Sequence, residues 1–327
     1  MNSKTRSNFL VLVFGESRVV ELVRLGKLGK PCARNVQAHP AQCVVAAKPH
    51  PSLTNSSMTI LGHPWWKNAT VYQIYLASFK DSNGDGIGDI RGIISQLDYI
   101  HSLGIDVIWV CPMYDSPQYD MGYDFSDYES VYPPYDTVAD MERFIAACHL
   151  RGLRVILDLV VNHTSHLHSW FKESRFSKDS PKRDRYIWRP ARHDSAGNRK
   201  LPNNWRSSFG GSVWAWDEHT RNIIRTSICP EQPDLNWENP ATRSATYTPA
   251  MEFWLCKGVD GFHVDTVNMY SKDPQYQDAP IIDDGSEWQF AAHLFCNGPR
   301  MHEYLHEMNL TYNALLAHSI YLTHFKQ

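Results

Sequence analysis

The sequence predicts an α/β protein built around a parallel sheet covered on both faces, and three observations carry that prediction. Short, near-continuous apolar runs alternate with segments of helical periodicity. The polar residues of those runs gather at their C-terminal ends, as in DLVVNH and GFHVD. Barrel and open α/β enzymes alike keep their chemistry at that edge of the sheet.

Taken in order, VYQIYLASF (71–79) has the β-branched and aromatic content of a buried first strand. After a glycine-rich loop, Ile93, Ile94, Leu97 and Ile100 recur at helical spacing and stop at Gly104. DVIWVCP (106–112) reads as a second strand, closed by proline. Thr137 followed by Asp140 forms a capping-box pattern ahead of the helix ADMERFIAACH. LRVILDLVV (153–161) is a third strand, and a long polar and aromatic region covers 162–238. PATRSATYTPAMEFWLCKG reads as a helix despite Pro249, and VDGFHVD as a fourth strand. Residues 1–57 form a separate basic stretch (Lys4, Arg6, Arg18, Arg24), expected to be an unstructured extension rather than a targeting arm. The tail from 311 to 327 carries no further strand–helix alternation.

Composition narrows the function classes. A chain of 327 residues with a formal charge of −3 has no basic balance, which argues against a nucleic-acid partner. Its seven cysteines are scattered without a CxxC, as expected of free thiols in a reducing compartment. No apolar run approaches the roughly 18 residues of a membrane span. The expectation is a soluble cytoplasmic protein with no membrane association.

Strand alternation puts Gly261, His263 and Asp265 on one face, with Phe262 and Val264 on the other. If Phe262 and Val264 meet covering helices, His263 and Asp265 point to the interior or the mouth of the sheet. A carboxylate there is costly unless it is hydrogen-bonded or used chemically; the bland alternative is an Asp capping the next turn. Asp81, Asn83, Asp85 and Asp89 in DSNGDGIGD suit a hard, oxygen-liganded cation such as Ca²⁺, with a metal-free acidic turn as the alternative. The twelfth position is Gly92 rather than a bidentate Glu, which excludes an EF-hand. His163, His166 and His168 lack a carboxylate at helical spacing and are not read as a zinc site.

From about Pro64 to Asn309 the chain resembles the α-amylase superfamily of glycoside hydrolases (family 13), in its α-glucosidase and oligo-1,6-glucosidase branch. The resemblance rests on WWKNATVYQIYLASFKDSNGDGIGDIRGI, MGYDFSDY, DLVVNHTS, QPDLNWENP, GVDGFHVDTVNMYSK and NGPRMHEYLHEMN. It implies the first four or so units of a (β/α)8 barrel (58–161 and 239–310), with a subdomain inserted after the third strand (162–238). It also implies retaining, exo-acting hydrolysis of short α-glucosides of the maltose or isomaltose type. Matched residue by residue, Asp265 stands at the nucleophile. Asp124 and His163 stand at residues that hydrogen-bond the terminal glucose, and Tyr123 at its stacking platform. Asp81, Asn83, Asp85, Ile87 (through its carbonyl) and Asp89 stand at the branch's cation loop, implying a structural Ca²⁺. Thr266 resembles members that prefer α-1,4 links.

Two departures qualify that expectation. The family holds its nucleophile with an arginine two residues upstream, where this chain has His263, and Leu76-Ala77 replaces Pro-Arg. The acids after Asp265 (Asp273, Asp278, Asp283, Asp284, Glu287, Glu303 and Glu307) end no further apolar strand, so the family's acid/base glutamate has no counterpart. The expectation is weak or absent turnover. The alternatives are a non-catalytic sugar-binding polypeptide or an unstable truncated product.

Overall fold

The computed structural model describes residues 12–14, 66 and 68–324. The expected basic extension therefore lies, apart from Leu12–Phe14, outside the described residues. The strands are β1 (Leu12–Phe14), β2 (Val71–Ile74), β3 (Val107–Val110), β4 (Tyr114–Asp115), β5 (Asp127–Val131), β6 (Arg154–Leu159), β7 (Trp188–Pro190), β8 (Arg192–His193), β9 (Arg199–Lys200), β10 (Trp214–Asp217), β11 (Asn222–Arg225) and β12 (Gly261–Val264). The helices are α1 (Leu76–Phe79), α2 (Ile90–Ser95), α3 (Leu97–Ser102), α4 (Val138–His149), α5 (Ser169–Arg175), α6 (Pro240–Tyr247), α7 (Phe253–Cys256), α8 (Ala292–Phe295) and α9 (Met301–His324).

The central sheet has β2, β3, β6 and β12 side by side in chain order, all parallel, with β1 antiparallel on the far side of β12. Helical segments connect each parallel pair, as parallel pairing requires. The apolar stripes turn inwards: Ile90, Ile93, Leu97 and Ile100 are buried, as are Met141, Phe144, Ile145 and Cys148 at i, i+3, i+4 and i+7 of α4. The capping box at Thr137 and Asp140 is present. Phe262 and Val264 are buried towards the helices, with Phe262 edge-on to Tyr312 of α9. That helix runs straight through residues 310 and 311, so the expected tail is continuous with it.

Two elements differ from the sequence reading. The first strand ends at Ile74, and Leu76–Phe79 turns into α1. Composition favoured a longer strand, but the glycine-rich loop folds back onto α1: Gly88 N donates to Ala77 O and Asp89 N to Lys80 O. This approach needs bare backbone, because a Cβ on Gly88 would stand 2.0 Å from Leu76 O and one on Gly92 1.9 Å from Lys80 O. The helix through Pro249 is also not uniform. Thr248–Glu252 forms a wide i→i+5 turn between α6 and α7, which accommodates a residue lacking an N–H donor.

Residues 186–225 build a second, antiparallel sheet of β10, β11 and β7. Its own apolar cluster includes Trp205, Val213, Trp214 and Ile223, together with Met269 and Phe295 from beyond β12.

Replacing Gly92 by Ala forces Lys80 and α1 apart. We expect a loss of at least ~2 kcal/mol in urea unfolding; a loss within the scatter of surface substitutions would contradict the close approach.

Candidate active site

The C-terminal ends of β3, β6 and β12 converge on a polar interior. Asp158 on β6 lies level with His263 on β12, and both are buried. His263 Nδ1 donates to Asp158 Oδ1 at 2.5 Å, and Trp109 Nε1 on β3 donates to Oδ2 at 3.1 Å. The imidazole stacks on the indole of Trp109 with centroids 4.1 Å apart. Burial pushes the Asp158 carboxyl up from 3.8 to about 6, against the opposing pull of His263, and the charge of nearby Asp265 adds to the rise.

Asp265 follows β12 and is half-buried. Its amide donates to Leu159 O at 3.1 Å and its carbonyl accepts from the Tyr270 hydroxyl at 3.2 Å. Among the described residues, no donor bonds its carboxylate. Thr266 next to it adopts a left-handed φ of 45°, unfavourable for a β-branched residue, and its buried hydroxyl has no partner among the described residues. The strand-alternation reading of His263 and Asp265 thus holds, but the histidine serves Asp158 rather than Asp265.

His163 is buried just beyond β6. Its Nδ1 lies 3.2 Å from Asn162 Nδ2, and its Nε2 lies 3.1 Å from Tyr123 O. Since a carbonyl only accepts, Nε2 carries the hydrogen and Nδ1 accepts from Asn162. Asp124 is fully buried, accepting from Ser116 Oγ at 2.9 Å and from the backbone amides of Tyr119 and Asp120 at 2.9 and 3.1 Å. Its oxygens are thus engaged by the loop that covers it. Tyr123 hydrogen-bonds the Cys111 thiol, which Gln73 also approaches at 3.1 Å and which senses the charge of Asp158. Burial pushes that thiol up to about 11, so it stays protonated at neutral pH.

The sequence reading left four supporting residues without a role. Gln232 donates from its amide nitrogen to Asp120 Oδ2 at 3.2 Å, beside His163. Lys272 donates to Asn162 Oδ1 at 3.1 Å and pairs with the buried Asp234 at 3.3 Å. Arg225 reaches the same Asp234 at 3.0 Å. Burial lowers Lys272 to about 8, with Asp234 opposing the shift. Gln232 and Asp234 fall in QPDLN and Lys272 in the YSK following Asp265, stretches that display no pairing in sequence.

The acidic loop is a different case. Asp81 accepts from the amides of Asn83, Gly84 and Gly86, and those of Gly86 and Gly84 hold its carboxyl below the ordinary range. Asp89 caps α2 through Gly92 N and also accepts from Ser82. Among the described residues, no three His, Cys, Asp or Glu side chains converge as metal ligands. Asp81, Asn83, Asp85, Ile87 and Asp89 lie in one continuous set of turns, in which Asn83 and Asp85 also accept from the amides of Asp85 and Ile87.

Buried carboxylates thus stand at the C-terminal edge of a parallel sheet, flanked by polar and aromatic side chains, the edge at which α/β enzymes keep their chemistry. Residues 73–324 match the family described as alpha amylase, catalytic domain. The chain is 60% identical over 246 residues to an α-glucosidase of Candida albicans, covering 75% of this chain and 43% of that protein. It is 54% identical to an oligo-1,6-glucosidase of Saccharomyces cerevisiae, covering 77% and 44%. Among solved structures, a trehalose-6-phosphate hydrolase of Bacillus licheniformis superposes with a TM-score of 0.71 at 47% identity, covering 77% of this chain and 43% of that one. An isomaltulose synthase of Protaminobacter rubrum gives 0.70 at 44%, covering 76% and 43%. The chain belongs to the α-amylase superfamily, glycoside hydrolase family 13, among α-glucosidases and oligo-1,6-glucosidases. It spans less than half the length of these relatives.

The raised Asp158 carboxyl sets a pH dependence. The fold holds a proton there up to about 6, whereas the unfolded chain releases it near 3.8, so stability falls as pH rises between those values. Asp158→Asn should remove that part of the slope in thermal melts from pH 4 to 6.5. An unchanged slope would place the extra proton elsewhere.

Proposed function

We propose that the chain carries the glucose-holding part and the nucleophile of a retaining exo-α-glucosidase acting on short α-glucosides. In this reading β2, β3, β6 and β12 are the first four strands of a (β/α)8 barrel, with the segment between β6 and α6 as its inserted subdomain. Asp265 attacks the anomeric carbon, Tyr123 stacks on the glucose, and Asp124 and His163 hydrogen-bond its hydroxyls. Asp124 meets the sugar only after the loop of Tyr119 and Asp120 yields its place on the carboxylate. The observation that carries the reading is the half-buried Asp265 carboxylate, unbonded among the described residues, at the C-terminal end of a parallel strand.

Retaining hydrolysis needs a second carboxyl about 5–5.5 Å from the nucleophile to protonate the departing oxygen. The described carboxyl whose charge bears on Asp265 is Asp158, and its raised value is apt for an acid. It is, however, fully buried and bonded to His263 and Trp109, out of reach of a leaving group. Without a general acid, the reaction forfeits a factor of about 10²–10⁴. A second reading follows from the same observation: these residues hold a glucoside without turning it over.

Two measurements on the purified chain separate the readings. We expect calorimetric titration with maltose to show binding that His163→Ala weakens, and glucose release from 4-nitrophenyl α-glucoside no faster than in Asp265→Asn. Release well above that control would establish turnover, and with it a proton donor. Absence of both binding and release would remove the glucoside-site reading.

A further inference from the structure

A second cleft lies away from Asp265, between the β4–β5 pair, the start of α5 and the turn around Pro249, with a volume of about 940 Å³. At its edge is His168, only 4% exposed. Its Nδ1 accepts from the Trp170 amide at 3.1 Å, capping α5, so the ring hydrogen sits on Nε2. Among the described residues nothing accepts from that N–H, and His168 lines the cleft. The ring is wedged between Tyr128 and Trp170, with centroids at 5.3 and 4.9 Å, and cannot turn away. Burial lowers it to about 4, so it is a neutral donor at ordinary pH.

The walls define what such a donor would meet. Asp115, Asp127 and Glu129 line it together with Lys172 and Arg185, so the charges nearly balance and favour neither an anion nor a cation. Asp115 and Asp127 are oriented by Ser126 and Ser130 hydroxyls at 2.6 and 2.7 Å. Leu167 and Trp170 add apolar surface, the latter beneath the Arg185 guanidinium at 4.6 Å. Fixed acceptors, a fixed donor and aromatic or aliphatic surface together suit a neutral ligand dense in hydroxyl groups and C–H faces. We propose that this cleft is a second binding site for a short neutral oligosaccharide, with His168 Nε2 donating to a sugar hydroxyl and the carboxylates accepting from others. It contains none of Tyr123, His163 or Asp265. Its link to the first site is Ser116, which lines the cleft and donates to Asp124.

Imidazole resonances of the intact chain test this during titration with maltotriose, because His163 reports the first site and His168 the second. We expect the His168 signal to shift saturably in the millimolar range, with a midpoint of its own. The double variant Glu129→Gln, Lys172→Ala alters exposed positions only and should weaken the His168 response about tenfold while leaving that of His163 alone. A His168 signal that does not move, or that moves in step with His163 in both proteins, overturns the proposal. So does a response that the double variant leaves unchanged.

Discussion

The bond between Asp158 and His263 is the constraint on which the polar interior depends. A carboxylate with no exposure is tolerated only when its oxygens are satisfied, and here one oxygen takes the imidazole and the other the indole of Trp109. These three side chains come from three adjacent strands, so the interaction ties β3, β6 and β12 across their inner face as the backbone ladders tie them edge to edge. Removing His263 would leave a buried carboxylate half satisfied, which costs more than the bond itself contributes. The end of β12, and with it the direction in which Asp265 emerges, follows from this tie.

A second knot fixes the segment between β6 and α6 against the sheet. Asp234 from QPDLN takes Arg225, Lys272 and the Ser227 hydroxyl, all buried, and Lys272 reaches on to Asn162 beside His163. Two cations face one carboxylate, and the structure offsets the surplus in two ways. Lys272 is depressed towards neutrality, and the guanidinium of Arg225, whose terminal nitrogens lack hydrogen-bond partners among the described residues, lies among the rings of Trp205, Trp214, Tyr276 and Phe295. Loss of Asp234 would strand both cations, so the segment's position rests on one carboxylate.

Local patterns made much of this legible in advance. The four strands and the facing of His263 follow from periods of 2 and 3.6, and the capping box from Thr137 with Asp140 three residues on, all of which a short window of sequence displays. The turn into α1 was not legible, because what ends the strand at Ile74 is a loop packing back across glycines some ten residues away. Nor was the partner of His263. Its position opposite Asp158 depends on the register between strands more than a hundred residues apart, and a single sequence does not state that register. Asn162, Gln232 and Lys272 stayed silent for the same reason: each acts through a partner brought from another segment.

The same register limits what His263 can reach. His263 is level with Asp158, while Asp265 lies two residues further, about 6.6 Å along the strand. An imidazole offers two nitrogens on a short, rigid arm, and Nδ1 already serves Asp158. A guanidinium on a longer arm presents five donors in a fork, which suits a span between two carboxylates. Once Nδ1 has satisfied the buried acid, the short side chain has little reach left for the half-buried Asp265. Among the described residues no donor therefore bonds the Asp265 carboxylate, and its charge is felt instead by Asp158, whose carboxyl it helps to raise.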